Sequence, residues 1–307
     1  MGIHSTALLC AIGGALVATG TAQAALLVQE SFAYSAGSVV GVAATGTGLS
    51  GNWATGGATG ASFTFQAANV DFAGHFTDSA GSLRAANPSG PYGDAAAGAQ
   101  VSATLTGNSK LFASSVQRMN TAGAYFNDWS VEQRFNTAIG GTYTTASGRN
   151  LVSSFGSGSS SSRKAGVSSN GSEVTQGTGS LAAGTNYLMV TAYAITGGTT
   201  VDTATLYVFD EAAYGNYLTA ANASPANVES LLGTYALATL TDGDDRALSN
   251  FGFLQYSIGG GPTGQIDNFR LGTDVADVVN VAVPEPASLG LIAAMAGVGL
   301  ARRRRTA

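Results

Sequence analysis

The chain is short of nearly everything that metal, redox and acid–base chemistry use. Its 307 residues include one cysteine, two histidines and two tryptophans, and only 10% are charged. The single cysteine, Cys10, lies in an apolar run near the N-terminus. The chain beyond it can therefore form neither a disulfide nor a thiolate metal site. Basic residues are scarce as well, and four of the 13 are clustered at Arg302, Arg303, Arg304 and Arg305. Setting those and Glu285 aside leaves 9 basic residues against 17 acidic ones, a balance with no footprint for nucleic acid or anionic lipid. No apolar stretch reaches the ~20 residues that span a bilayer comfortably as a helix.

What the chain has is glycine, at 43 positions, and a hydrophobic fraction of 45%, enough for a core. The surface must then be Ser, Thr, Asn and Gly, a common composition for extracellular β-proteins. At this size a core needs no disulfides.

The two ends read as export signals. Ala7 to Ala18 is apolar, and Ala22-Gln23-Ala24 is the small-x-small pattern that signal peptidase accepts, so residues 1–24 are expected to be a leader cut after Ala24. Its first residues lack Lys and Arg, and Cys10 is not at the cleavage point, which rules out a lipoprotein. At the other end, Val283-Pro284-Glu285-Pro286 precedes fifteen small and apolar residues, 287–301, and then the arginine run 302–305. Such a helix rises only about 23 Å, short of a ~30 Å hydrocarbon core. Snorkelling arginines and Pro286 at its start narrow the gap, and the positive-inside rule keeps the arginines cytoplasmic.

This three-part tail resembles the PEP-CTERM sorting signal of Gram-negative bacteria. The resemblance implies Pro284, Glu285 and Pro286 as recognition motif and Arg302 to Arg305 as stop. It also implies an exosortase as processing partner after signal peptidase, transient anchorage in the inner membrane, and delivery to the cell surface or exopolysaccharide matrix. The expected organisation is leader 1–24, β-domain 25–279 and sorting tail 280–307, exported by the Sec route.

Between the ends, short alternating runs are broken by Gly, Asn, Asp and Ser. Strands are expected at 26–32, 62–66, 125–135, 186–195, 203–209, 251–258 and 265–271. In TATLYVF, Ala204, Leu206 and Val208 face one way and Thr203, Thr205, Tyr207 and Phe209 the other. One helix is expected, with Ser224 as N-cap, Pro225 at its first position and ANVESLLG as its body. The serine-rich stretch 153–162 reads as a long hairpin loop. The segments ESFAYSAGSVVG, LSGNW, NYLMVTAYAI, TATLYVFDEA and GQIDNFRLGTDVADVV resemble concanavalin A-like, laminin-G-like jelly-roll domains. That resemblance implies an all-β sandwich of two curved antiparallel sheets, with the first and last strands, 26–32 and 265–271, as neighbours.

Candidate chemistry is sparse. Glycosidases on this fold use acidic residues alternating along one strand. Here Glu132 stands alone, and Asp210 and Glu211 are adjacent, so a glycoside hydrolase is the least favoured reading. His75 is the only histidine after the leader, and Phe72-Ala73-Gly74-His75-Phe76 suggests aromatic packing rather than a catalytic triad. Thr241-Asp242-Gly243-Asp244-Asp245 offers oxygen ligands for calcium from Asp242, Asp244 and Asp245, but equally suits a solvated turn. No other cofactor is indicated. Gly46 to Gly51 matches G-x-G-x-x-G, but NWATGGATG follows it and cannot form the required helix. Aromatic residues, foremost Trp53, Tyr92 and Trp129, with Tyr143, Tyr214 and Tyr217, suit stacking on sugars, or else fill the core. Asp267 shares the parity of Phe269 and Leu271, so it is expected to be a buried structural acceptor. The sequence thus points to a surface or matrix protein without catalytic activity, with a glycan-binding module as the alternative.

Overall fold

The computed structural model describes residues 25–57, 62–76, 81–86, 95–102, 110–121, 129–134, 149–159, 162–168, 175–176, 181–194, 202–244, 253–258 and 263–281. Among these, nine strands form one sheet: β1 (Leu26–Glu30), β2 (Gly37–Ser38), β4 (Ser62–Gln66), β5 (Ser82–Ala86), β7 (Lys110–Thr121), β12 (Asn186–Ala194), β13 (Asp202–Phe209), β14 (Ala238–Asp244) and β16 (Thr263–Gly272). Seven form the other: β3 (Leu49–Gly57), β6 (Ala95–Val101), β8 (Trp129–Arg134), β9 (Arg149–Ser159), β10 (Ser162–Ser168), β11 (Thr175–Gln176) and β15 (Phe253–Ile258). The sheet orders are β14-β13-β12-β7-β16-β5-β4-β2, with β1 also on β16, and β11-β10-β9-β8-β15-β6-β3. The all-β sandwich of two antiparallel sheets is the architecture expected.

Side-chain parity builds two cores on the larger sheet. In β12, Tyr187, Met189 and Tyr193 enter the core that takes in residues of both sheets, while Leu188, Val190 and Ala192 enter a second core on the opposite face. β13 obeys the same rule: Ala204, Leu206 and Val208 join the first core, and Phe209 the second. This second core is closed by helices α1 (Glu211–Ala223) and α2 (Val228–Tyr235) and by residues 275–279.

The helices correct the sequence reading. Only the second had been expected, with Ser224 as its cap. Instead Pro225–Asn227 forms a 3-10 turn, Ser224 makes no side-chain cap bond, and α2 begins at Val228. The unexpected α1 is capped by Asp210, whose Oδ1 accepts from the Ala213 amide at 2.7 Å. Tyr214, Tyr217 and Ala221 fall on one face at helical spacing and are buried. The serine-rich stretch is corrected too: 153–159 belongs to β9, which pairs with β10, so the loop between them is short. Likewise Thr241 to Asp244 is strand rather than turn, with Asp242 and Asp244 opposite Ala204 and Asp202.

The chain's ends meet in the larger sheet. β16 pairs along one side with β7 and along the other with β5 and then β1, through Leu26↔Gly272 and Glu30↔Phe269. The first and last strands are neighbours, as expected.

Candidate functional site

The densest buried polar group lies on the helix-covered face of the larger sheet, around β16. Between Asp267 and Arg270 the register with β7 shifts, and Asn268 takes φ +52°, a left-handed conformation that asparagine tolerates. The bulge turns Asp267, Asn268 and Arg270 all inward. Asp267 is fully buried and accepts from the amides of Val70 (2.8 Å) and Asn268 (2.7 Å), the structural role expected of it. Asn268 donates through Nδ2 to the Phe76 carbonyl, and the Arg270 guanidinium lies 3.4 Å over the Phe76 ring.

His75 completes the cluster. The Asn280 amide donates to the Tyr214 hydroxyl at 2.9 Å, and the same hydroxyl is hydrogen-bonded to His75 Nδ1, 3.2 Å away. The imidazole is buried. Burial, assisted by the Arg270 charge, lowers its pKa to about 3. Burial likewise raises the Tyr214 and Tyr217 phenols. A histidine that is 1% exposed and already occupied at Nδ1 is no general base. Its work is structural: it fastens the 69–76 segment to α1 and, through Tyr214, to the chain's exit at Asn280.

Beside this cluster is a cavity of about 290 Å³. Val70, Phe72, Phe76 and Val116 line it with apolar surface, Asn268 adds an amide, and the exposed Asp71 and Glu211 border it. A glycosidase needs one carboxyl enclosed in an apolar setting to stay protonated, and both of these stand exposed. Apolar and aromatic walls beside oxygen acceptors do suit the C–H face and hydroxyls of a sugar ring.

The residues singled out in the sequence do not converge. Trp53 is fully buried, packed against Phe32 and Phe65, and donates from Nε1 to the Tyr34 hydroxyl at 3.1 Å. It is a core residue and is withdrawn from the glycan-contact set, as are the buried Tyr214 and Tyr217. Trp129 begins β8, but its side chain lies outside the described residues, as do those of Asp242 and Asp244. Tyr92, Tyr143 and Asp245 lie outside them altogether. Among the described residues no three His, Cys, Asp or Glu side chains gather as a metal site. The G-x-G-x-x-G segment has a packing role: a Cβ on Gly48, at φ +71°, would lie 2.0 Å from the Leu27 carbonyl oxygen.

Sequence reasoning missed Glu30. It is 1% exposed, accepts from the Phe32 amide and the Tyr34 hydroxyl, both at 2.7 Å, and its carboxyl is raised by burial. The only sequence signal was its place on the parity of Val28 and Phe32.

The ends of the described chain are fastened together. The Ala25 amide donates to Thr273 Oγ1 at 3.1 Å, and the Thr273 amide donates back to the Ala25 carbonyl at 3.2 Å. A capping box between Asp274 and Asp277 then turns the chain so that Val278 and Val279 are buried. The expected leader with Ala22 and Ala24, the motif Pro284-Glu285-Pro286, the segment 287–301 and the arginines 302–305 lie outside the described residues. Among those described, no helix is long and apolar enough to cross a membrane.

The class defined by this architecture is a two-sheet antiparallel β-sandwich. Solved structures similar to it include peanut lectin (10% identity, TM-score 0.40, 72% of this chain and 97% of that one). A Lotus tetragonolobus seed lectin shares 14% identity at TM-score 0.36 (70% and 93%). The PL-14 alginate lyase of Aplysia kurodai shares 11% at TM-score 0.39 (64% and 84%). Likeness this distant says nothing of ligand or activity. No curated protein matches the sequence. Residues 282–305 match the PEP-CTERM protein-sorting motif, so the chain carries a sorting signal for export that implies exosortase processing.

Proposed function

We propose that this is an exported surface or matrix protein of a Gram-negative bacterium, without catalytic activity. It is delivered through the inner membrane by the Sec route and released from its tail by an exosortase. The observation that carries the reading is the match of 282–305 to the sorting motif, directly after a sandwich whose last described residues are packed and hydrogen-bonded. Pro284, Glu285 and Pro286 are the recognition element and Arg302 to Arg305 the cytoplasmic stop. Replacing Pro284, Glu285 and Pro286 together by alanine in the native host is expected to hold full-length chain in the inner membrane and deplete it from the surface. Unchanged surface delivery would refute the assignment.

The cavity beside Asn268 supports a second reading, a glycan-binding module that retains exopolysaccharide. Mature protein on a glycan array would then bind a defined set of sugars, and Glu211→Gln with Asp71→Asn would weaken it. Binding untouched by both changes would place any glycan site elsewhere, with Trp129 and Tyr92 the next residues to test.

A further inference from the structure

We propose that the cavity beside Asn268 takes a primary ammonium group carried on a sugar ring, so that its ligand is an amino sugar with a free amine. The inference rests on the glycan reading of that cavity and narrows it.

An unmet acceptor carries the inference. Asn268 lines the cavity and is 3% exposed. The bulge of β16 holds it at φ +52°, and its Nδ2 donates to the Phe76 carbonyl at 2.5 Å. Its Oδ1 is buried with no hydrogen-bond partner among the described residues. A buried acceptor left unbonded destabilises the fold, and an entering donor relieves it. Two carboxylates stand beside it. Asp71 Oδ1 accepts from Asn69 Nδ2, and Glu211 Oε1 accepts from the Ala73 amide, so each has a second oxygen to offer. The backbone between them is held in place, since the Asp71 carbonyl accepts from Asn186 Nδ2 at 2.7 Å.

The chemistry of this lining is one-sided. Its side chains bring an amide oxygen and two carboxylates as acceptors, and their one donor group, Asn268 Nδ2, is already committed. Among the described residues that line it there is no Lys, Arg or His. Arg270 lies over the Phe76 ring, and Asp277 opposes its charge. The carboxylate or sulfate of an acidic polysaccharide would find no donor here and would face Asp71 and Glu211. A neutral hydroxyl gives one proton to one acceptor. An ammonium gives three, complements both carboxylates, and meets the faces of Phe72 and Phe76 favourably. At about 290 Å³ the cavity stands at the small end of ligand sites, with room for one ring rather than a length of polymer. The acidic balance of the chain, 9 basic residues against 17, draws a cationic glycan towards it before contact.

The test is calorimetric titration of the full-length protein in detergent with three probes: a glucosamine tetrasaccharide, its fully N-acetylated form, and spermidine. The glucosamine tetrasaccharide is expected to bind at least about tenfold more tightly than either of the others, and to weaken as salt is added, because the two carboxylates are exposed. The double variant Asp71→Asn with Glu211→Gln keeps the oxygens that hold Asn69 and the Ala73 amide. In it the preference for the free amine should fall below about threefold. Asn268→Gly, which keeps the positive φ and removes the amide oxygen, should weaken the same probe by about tenfold. Equal binding of the two tetrasaccharides would overturn selection of the ammonium and leave the glycan reading standing. A preference for spermidine would overturn the sugar as its carrier, and a preference undiminished in the double variant would overturn this cavity as its place. Binding of none of the probes would overturn the proposal, and an empty glycan array would take the glycan reading with it.

Discussion

His75 shows how a titratable side chain can shape stability without any part in chemistry. Its imidazole titrates near 6.5 in the unfolded chain and at about 3 in the native one. Above pH ~6.5 both states are neutral and His75 adds no pH dependence. As pH falls from there towards 3 the unfolded chain takes up a proton that the native state refuses, and stability drops. At pH 5 the loss is about 2 kcal/mol. Glu30 and Asp277, raised by burial, act in the opposite sense, so the effect is best read as a difference. The stability of His75→Gln relative to the native protein should improve by about that amount between pH 7.5 and 5 in denaturant titrations. A constant offset across that range would show that the ring is not held neutral. Glycine supplies the other residue-scale test. A Cβ on Gly272 would lie 2.3 Å from the Asp277 Cβ, so Gly272→Ala should cost roughly 1–3 kcal/mol. Gly215 meets nothing within 4 Å and sits within α1, so Gly215→Ala should stabilise by about 0.5–1 kcal/mol. Thermal melts that reverse this order would contradict the packing at both sites.

At the scale of elements, the seven strands read from the sequence are present as β1, β4, β8, β12, β13, β15 and β16, whereas β7, β9, β10 and the helical layer as a whole were not read. Period-two parity in TATLYVF and NYLMVTAYA survives intact, because each strand divides its apolar residues between two cores. Asp267 is the buried acceptor expected, but not on the face expected: the register shift after it sends Phe269 and Leu271 into the first core while Asp267 bonds Val70 beside the second. The unforeseen helix α1 has an aspartate cap and a Tyr214–Tyr217–Ala221 face at helical spacing. Its Ala, Gly and Asn content hid that signal, and a preceding strand invited continuation. With the helix unseen, its tyrosines read as surface groups. Trp53 misled for a different reason: its polar tip is satisfied by Tyr34, a partner 19 positions away that no local pattern reveals. The covering helices are integral to the core, since Tyr217 is fully buried against Phe209 and Tyr214. Tyr217→Ala should cost about 3–5 kcal/mol in chemical denaturation. A cost below about 1 kcal/mol would mean that α1 is a loose appendage.

For the whole molecule, the sandwich joins its first and last strands, so the expected leader and the sorting tail adjoin sequences tied together at Ala25 and Thr273. That neighbourhood was foreseeable only from the resemblance of the terminal segments to a known sandwich, since nothing local pairs residues so far apart. Calcium is not expected to contribute to stability. Melting the mature protein in EDTA and in millimolar calcium should give the same midpoint, whereas a rise above about 5 °C would reveal a ligand-linked site of the kind Asp242, Asp244 and Asp245 were considered for. The central claim is that both ends are addresses, removed in turn. Mass spectrometry of the protein isolated from its own host tests this most directly. The expected mature chain begins at Ala25 and lacks Arg302 to Arg305. An intact C-terminus, retained in the inner membrane at steady state, would contradict it.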